Sequence, residues 1–376
     1  MKTIKTFLVA AVVVALTAPV FTACGSDDDD QKESIISEFA VNDQKVAAQK
    51  AKSGKNVAVL LVAFGSTWNN AFLAFDNTVA AYERAFPEAD VYISFSSDIC
   101  INRASVGENY DDAGRLVKRD YYEPRYLLHA IGAAKYGKIY VQSLQVIPGE
   151  EFAAVVASVK KFMNNGYIGS AHLDDAYLAK LADDEAIFFG MPLLNDPDED
   201  VPEVAKQLHA LYANEAQQGV VAFMGHGNPD TYDTFKANVR YVQLEEALQQ
   251  LNPNYFVGTV DMAGNLKMDV LERMRAKGLK DGKVYLHALM SIAGDHAHND
   301  MAGEGDDYWA HPMDPGNEEN SWFEFFTHAG YETIVPVVGK HPQGLLELSG
   351  ILNVWIGHTK NAEFLEDAYH SMYPEE

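Results

Sequence analysis

The chain has 376 residues, too many for one ordinary core and suited to two domains of about 150 residues each. Hydrophobic residues make up 48% and charged residues 22%, a globular rather than disordered composition. The formal net charge of −25 argues against a nucleic-acid partner, because phosphate binding needs a basic face.

The first 23 residues read as a secretory signal. Lys2 and Lys5 form the positive start, and Phe7 to Val20 is an apolar stretch too short for a stable membrane span. Phe21-Thr22-Ala23-Cys24 resembles a bacterial lipobox, so Cys24 is expected to carry lipid. The acidic run Asp27–Asp30 follows, as in surface-exported lipoproteins, although a solvated tether explains it equally well. With Cys24 so used, Cys100 is alone. No intrachain disulfide and no cysteine-based metal site can then be built. Residues 24–54 are expected to be a tether followed by a helix from Val41 to Lys52.

The run Val57 to Phe64 is continuously apolar, the mark of a strand buried on both faces. It ends in Gly65-Ser66-Thr67, a tight turn able to cap a helix from Asn69 to Ala85. A strand over Asp90–Ser96, a mixed polar stretch over 99–120, a helix over Glu123–Tyr136 and a strand over Lys138–Val146 follow. The last of these ends in Pro148-Gly149-Glu150-Glu151 and leads to a helix over Phe152–Asn164. Ile187–Gly190 is the fourth strand.

The second half has the same rhythm. Strands are predicted at Val220–Met224, Tyr255–Val260, Lys283–Met290 and Thr333–Val338. Helices are predicted at Val242–Gln250, Leu266–Ala276, Trp322–Ala329 and Gly344–Ile356. The repeat is visible in the letters: KYGKIYVQSLQVIPGEE (135–151) aligns with KDGKVYLHALMSIAGDH (280–296), and VAVLLVAFGST with GVVAFMGHGNP. Two copies of a four-strand βα unit predict two similar parallel α/β domains, at 55–210 and 211–376, with ligands bound beyond the strand ends. Gly303–Asn320 breaks the rhythm and reads as a long surface loop, a candidate lid.

Three strand ends carry metal-type ligands. Gly225-His226-Gly227 exposes one imidazole between glycines, Asp261 closes the next strand, and His296 follows the one after. These three are read as converging on one divalent metal, since imidazole and carboxylate suit first-row ions. Asp261 also has an ordinary explanation as a helix N-cap. His298 is two residues from His296 and is placed behind it or at the surface. His287 lies within a strand and reads as a core residue. Glu150 or Glu151, at the matching strand end of the first half, is a candidate proton acceptor, although helix-dipole stabilisation explains both. No P-loop, nucleophile elbow or H-E-x-x-H occurs.

The pieces Ala63-Phe64-Gly65-Ser66-Thr67, Pro148-Gly149-Glu150-Glu151, Met191-Pro192-Leu193-Leu194, Phe223-Met224-Gly225-His226-Gly227, Val257-Gly258-Thr259-Val260-Asp261 and Ala293-Gly294-Asp295-His296-Ala297-His298-Asn299-Asp300-Met301-Ala302 run in order through most of the chain. Together they resemble the anaerobic-type sirohydrochlorin cobaltochelatases of the class II chelatase group. The resemblance implies a ferrochelatase-like fold of two α/β domains with the site in the interdomain cleft. It implies insertion of Co2+ into a tetrapyrrole, as in anaerobic cobalamin synthesis, with Fe2+ and Ni2+ as further candidate metals. It makes His226 and His296 metal ligands, with His226 also accepting a proton. It puts Asp261 where the family has glutamate, one methylene longer. Gly65, Ser66, Glu150 and Arg103 are expected to contact the ring, with Arg115 and Arg119 as further partners for its carboxylates. The expected partners are sirohydrochlorin or a haem-like ring, the membrane through Cys24, and a second copy of the chain. The lipoprotein signal sets this apart from cytoplasmic relatives. It keeps two other readings open: a tetrapyrrole- or metal-binding uptake lipoprotein, and a dechelatase.

Overall fold

The computed structural model describes residues 27–107, 115–233, 235–303 and 320–364. The expected signal segment, Cys24 and residues 304–319 of the expected lid lie outside them.

The chain forms α1 (Asp27–Ser53), β1 (Val57–Ala63), α2 (Asn69–Ala85), β2 (Ala89–Phe95), α3 (Asp98–Val106), α4 (Pro124–Ala133), β3 (Lys138–Ser143), α5 (Glu150–Met163), α6 (Asp175–Asp183), β4 (Ile187–Gly190) and α7 (Asp200–Gln218). It continues as β5 (Val220–Gly225), α8 (Val239–Leu251), β6 (Tyr255–Thr259), α9 (Lys267–Ala276), β7 (Lys283–Ala288), a π-helical turn at His296–Met301, α10 (Trp322–His328), β8 (Glu332–Ile334), α11 (Ser349–Lys360) and β9 (Glu363–Phe364).

The strands make two sheets, β2-β1-β3-β4-β9 and β6-β5-β7-β8. Among the described strands only β9 runs antiparallel. Adding four to each strand number of the first order, β9 aside, gives the second, so the repeat read from the letters is a repeat of topology. β1 shows why the central strands are unbroken apolar runs. Val59 and Leu61 enter one buried cluster, while Ala58, Leu60 and Val62 enter another on the opposite face. Burying each such Val or Leu contributes about 1.5–3 kcal/mol, so neither face tolerates a polar residue. β5 is split in the same way. The cluster holding Val59 and Leu61 also holds Val221 and Phe223, so one continuous apolar core joins the two sheets.

Several expectations change. The helix expected from Val41 begins at Asp27, inside the expected tether. It docks by Phe39 and Val46 on α4, where Phe39 meets the rings of Tyr126 and His129. The stretch 99–120 contains α3, capped by Ser97, whose hydroxyl accepts the Cys100 N–H at 3.3 Å. Helices α6 and α7 fill the interval between Asn164 and Val220 that carried no predicted helix. The boundary expected at residue 210 falls inside α7, and the C-terminal end returns to the first half: β9 pairs with β4 and α11 packs on α2 and β4. β8 is shorter than expected and stops at Ile334. Among the described residues no helix is long and apolar enough to cross a membrane.

Candidate metal centre

β5 is central in its sheet, with β6 and β7 on either side, so the three candidate ligands leave adjacent strand ends on one edge. Two glycines shape the first. A Cβ on Gly225 would meet Tyr241 Cε1 at 2.5 Å, and Gly227 adopts φ +78°, where a Cβ would meet the Met262 N at 2.9 Å. Only glycine fits either place, and the turn between them turns the His226 ring into the cleft. His226 Nδ1 donates to the Gly227 carbonyl at 2.7 Å, which leaves Nε2 with its lone pair. The backbone is fixed too: the N–H groups of Val260 and Asp261 both donate to the His226 carbonyl, at 3.0 and 2.9 Å.

His296 opens the π-helical turn, a geometry that recurs at functional sites. Its Nδ1 donates to Asp300 Oδ2 at 2.5 Å. That hydrogen bond raises the imidazole's pKa against the opposing effect of burial, with the charges of Asp300, Asp261 and Asp295 adding to it. It also fixes the tautomer, with Nε2 outward, the carboxylate–histidine arrangement that orients metal ligands. The two rings lie 4.8 Å apart between centroids and 80° from parallel.

Asp261 stands differently from the expectation. Its Oδ2 is 3.8 Å from His226 Nδ1, the nitrogen already committed to Gly227, and the residue is exposed. Among the described residues no three His, Cys, Asp or Glu side chains are placed to hold a metal ion together. The arrangement is an open pair of imidazoles with a carboxylate beside it.

The pair faces a cavity of about 270 Å3 walled by both halves. Gly65, Ser66, Arg103 and Glu151 line it from the first half. Glu150 does not; it is exposed, one position away on the outer side of α5, and Glu151 takes the place expected of it. Burial, with help from the neighbouring Glu150 charge and against that of His296, pushes the Glu151 carboxyl up to about 7. In the aligned repeat, Glu151 occupies the position of His296. The cleft therefore sets a carboxyl in one half against an imidazole in the other. Arg119 pairs with Asp76 at 3.2 Å, and neither it nor Arg115 lines the cavity.

Sequence reading missed the contacts that hold the halves together. The Trp68 ring stacks on His298 at 3.6 Å with the planes 1° apart, and its Nε1–H donates to Asp295. Asn70 Nδ2 donates to the Ala293 carbonyl at 3.2 Å, and the Ser291 hydroxyl donates to the Leu144 carbonyl. His298 is fully buried under Trp68, neither exposed nor in the cavity wall. His287, as expected, is a buried strand residue, bonded to Glu215 at 2.6 Å. Burial pushes the pKa of the half-buried Cys100 thiol up.

Paired parallel α/β halves enclosing a cleft, with two imidazoles presented from neighbouring strand ends, define a two-lobed α/β protein with a histidine-lined cleft. The sequence matches the cobalt chelatase (CbiK) family over residues 57–363, and the chain belongs to that family. It is 28% identical over 305 residues to the sirohydrochlorin cobaltochelatase CbiKC of Nitratidesulfovibrio vulgaris, covering 80% of this chain and 88% of the relative. It is 25% identical over 256 residues to the sirohydrochlorin cobaltochelatase of Salmonella typhimurium, covering 67% and 82%. Among solved structures, SirB from Bacillus subtilis with Fe3+ shares 13% identity, with 83% of this chain and 98% of that chain covered and a TM-score of 0.47.

Proposed function

We propose that this protein inserts Co2+ into sirohydrochlorin. The observation that carries the reading is the His226–His296 pair, each ring held by its Nδ1 and free to offer Nε2 to the cleft. The metal is a substrate. His226 and His296 would hold it, with Asp261 supplying a carboxylate of opposite charge beside the pair. Insertion must remove two pyrrole protons from the ring and deliver a partly desolvated cation. Glu151 is a proton acceptor on one side of the cleft, and His226 Nε2 becomes one on the other side once the metal has left it. A carboxyl poised near 7 has the match to neutral pH that proton transfer needs. The stacked Trp68–His298 contact and the shared apolar core hold the two walls at a fixed spacing for a flat ring.

The protein is further proposed to work outside the inner membrane, anchored by lipid on Cys24, on the strength of the Ala23-Cys24 junction and the apolar stretch before it. That location favours a second reading, capture or demetallation of an acquired haem-like ring at the same histidines. The two part in one assay. Residues 25–376 are mixed with sirohydrochlorin and Co2+, and the absorption change is followed beside a His226→Ala control. Metallation well above the spontaneous rate, lost in the variant, supports insertion. No metallation, with tight haem binding and release of iron, supports the second reading and overturns the first.

A further inference from the structure

The first half of the cleft repeats the architecture of the second with different chemistry. In the aligned repeat Phe64 occupies the position of His226, and the turn that follows it keeps its glycine: Gly65 has φ +120° where Gly227 has φ +78°. Phe64 is 45% exposed and lines the cavity, an unusual setting for a phenyl ring at the end of a buried strand. Ile99, 67% exposed on α3, lines the same wall. Arg103 follows Ile99 by four residues, so the two side chains share one face of α3. This wall is rigid. The Ser97 N–H donates to the Phe64 carbonyl at 3.0 Å, and a Cβ on Gly65 would meet Cys100 Cβ at 2.9 Å, so the Phe64 turn lies against α3 with no room between.

Among the described residues that line the cavity, Arg103 is the only arginine or lysine, on a chain of net charge −25. Its guanidinium reaches across the cleft to Asp295 Oδ2 at 3.4 Å. Both side chains are close to half exposed, 43% and 47%, so the pair is weak and a competing carboxylate can replace it at little cost. Asp295 keeps a second partner, the Trp68 Nε1–H, when Arg103 leaves.

We propose that Phe64 and Ile99 form an apolar docking wall for the face of a polycarboxylate macrocycle, and that Arg103 is a carboxylate-reading residue which Asp295 holds until a peripheral carboxylate takes its place. Asp295 is then a stand-in for the ligand, and it selects for rings that carry acidic side arms. The inference rests on the reading of the cleft as a tetrapyrrole site.

Ring binding without metal tests it, read by porphyrin fluorescence with uroporphyrin, an octacarboxylate, and mesoporphyrin, a dicarboxylate. Phe64→Ala and Ile99→Ala are surface truncations that leave folding intact. They are expected to weaken both probes by similar factors. Arg103→Gln is expected to weaken uroporphyrin more than mesoporphyrin. Asp295→Asn keeps an acceptor for Trp68 and removes the charge. It is expected to tighten uroporphyrin binding about two- to five-fold, the range of an exposed ion pair. In the Arg103→Gln background Asp295→Asn is expected to do nothing. Unchanged or weaker uroporphyrin binding in Asp295→Asn, or equal tightening with and without Arg103, overturns the proposal. Cobalt insertion is read separately. Ring binding that follows this pattern without insertion removes the proposed reaction and keeps the docking wall. Insertion by the wild type with ring affinity unmoved by Phe64→Ala does the reverse.

Discussion

Replacing Glu151 by Gln should make the protein more stable and less active, with the stability gain growing as pH rises from 4.5 towards 7 and full above it. In the folded protein the carboxyl titrates at about 7, against an ordinary value of 4.5. The sign follows from which state holds the proton more tightly. Here the folded state does, so stability falls as pH rises from 4.5 towards 7 and stays lower above that. At about 1.36 kcal/mol per pH unit, the ionised carboxylate costs the fold up to about 3 kcal/mol at pH 8. Glutamine has the same shape and no charge. Glu151→Gln should therefore match the wild type at pH 4, where both side chains are neutral, and exceed it at pH 8. Thermal unfolding at the two pH values measures this. At roughly 2 °C per kcal/mol for a chain of this size, the expected rise at pH 8 is several degrees. Cobalt insertion at pH 8 should fall by about 10²- to 10⁴-fold, the usual contribution of a positioned acid–base group. Equal shifts at pH 4 and pH 8, or a loss of stability at pH 8, would refute the account of Glu151 as a buried, ionisable cleft residue.

Other substitutions probe the parts that aim the ligands. Asp300→Asn should weaken Co2+ binding about 10- to 100-fold in a cobalt titration, because His296 loses the charged partner that orients it. Gly227→Ala forces an alanine into φ +78° against the Met262 backbone, and should lower the melting temperature by a few degrees and abolish insertion. His358 joins α11 to Asp200 at 2.8 Å and to the Met191 carbonyl at 3.1 Å. Burial opposes its protonation, but Asp200 and the Met191 and Pro192 carbonyls outweigh that and raise its pKa above 6.5. Its contribution should be full below pH 6.5 and fade as pH rises through the raised value, so the melting-temperature gap between wild type and His358→Gln should close on the alkaline side.

The strands were legible because a strand buried on both faces leaves a continuous apolar signature. The apolar runs Val57–Phe64 and Ile187–Gly190 match β1 and β4 to within a residue. The repeat was legible for the same reason, and with it the edge on which His226 and His296 meet. Helix α3 was hidden because only Ala104 in it is buried, so it has no apolar periodicity; its one signal was the Ser97 cap. Glu150 and Glu151 could not be told apart from sequence, since which of two adjacent helical residues faces the cleft depends on the angle at which α5 packs. Trp68 carries no such local signal. Its partners His298 and Asp295 lie more than 200 residues away in sequence, and only the folded chain brings them together. The position of Asp261 beside Nδ1 rather than Nε2 of His226 likewise depends on the turn after β6, which the letters do not specify.

The central claim is that His226 and His296 act as one metal-holding unit that delivers Co2+ to a ring in the interdomain cleft. Initial rates of cobalt insertion into sirohydrochlorin, measured for the wild type, His226→Ala, His296→Ala and the double variant, test it most directly. If the two imidazoles work as a unit, each single variant loses nearly all the activity and the double variant is no worse than either. Losses that multiply, or a single variant that keeps the wild-type rate, would contradict it.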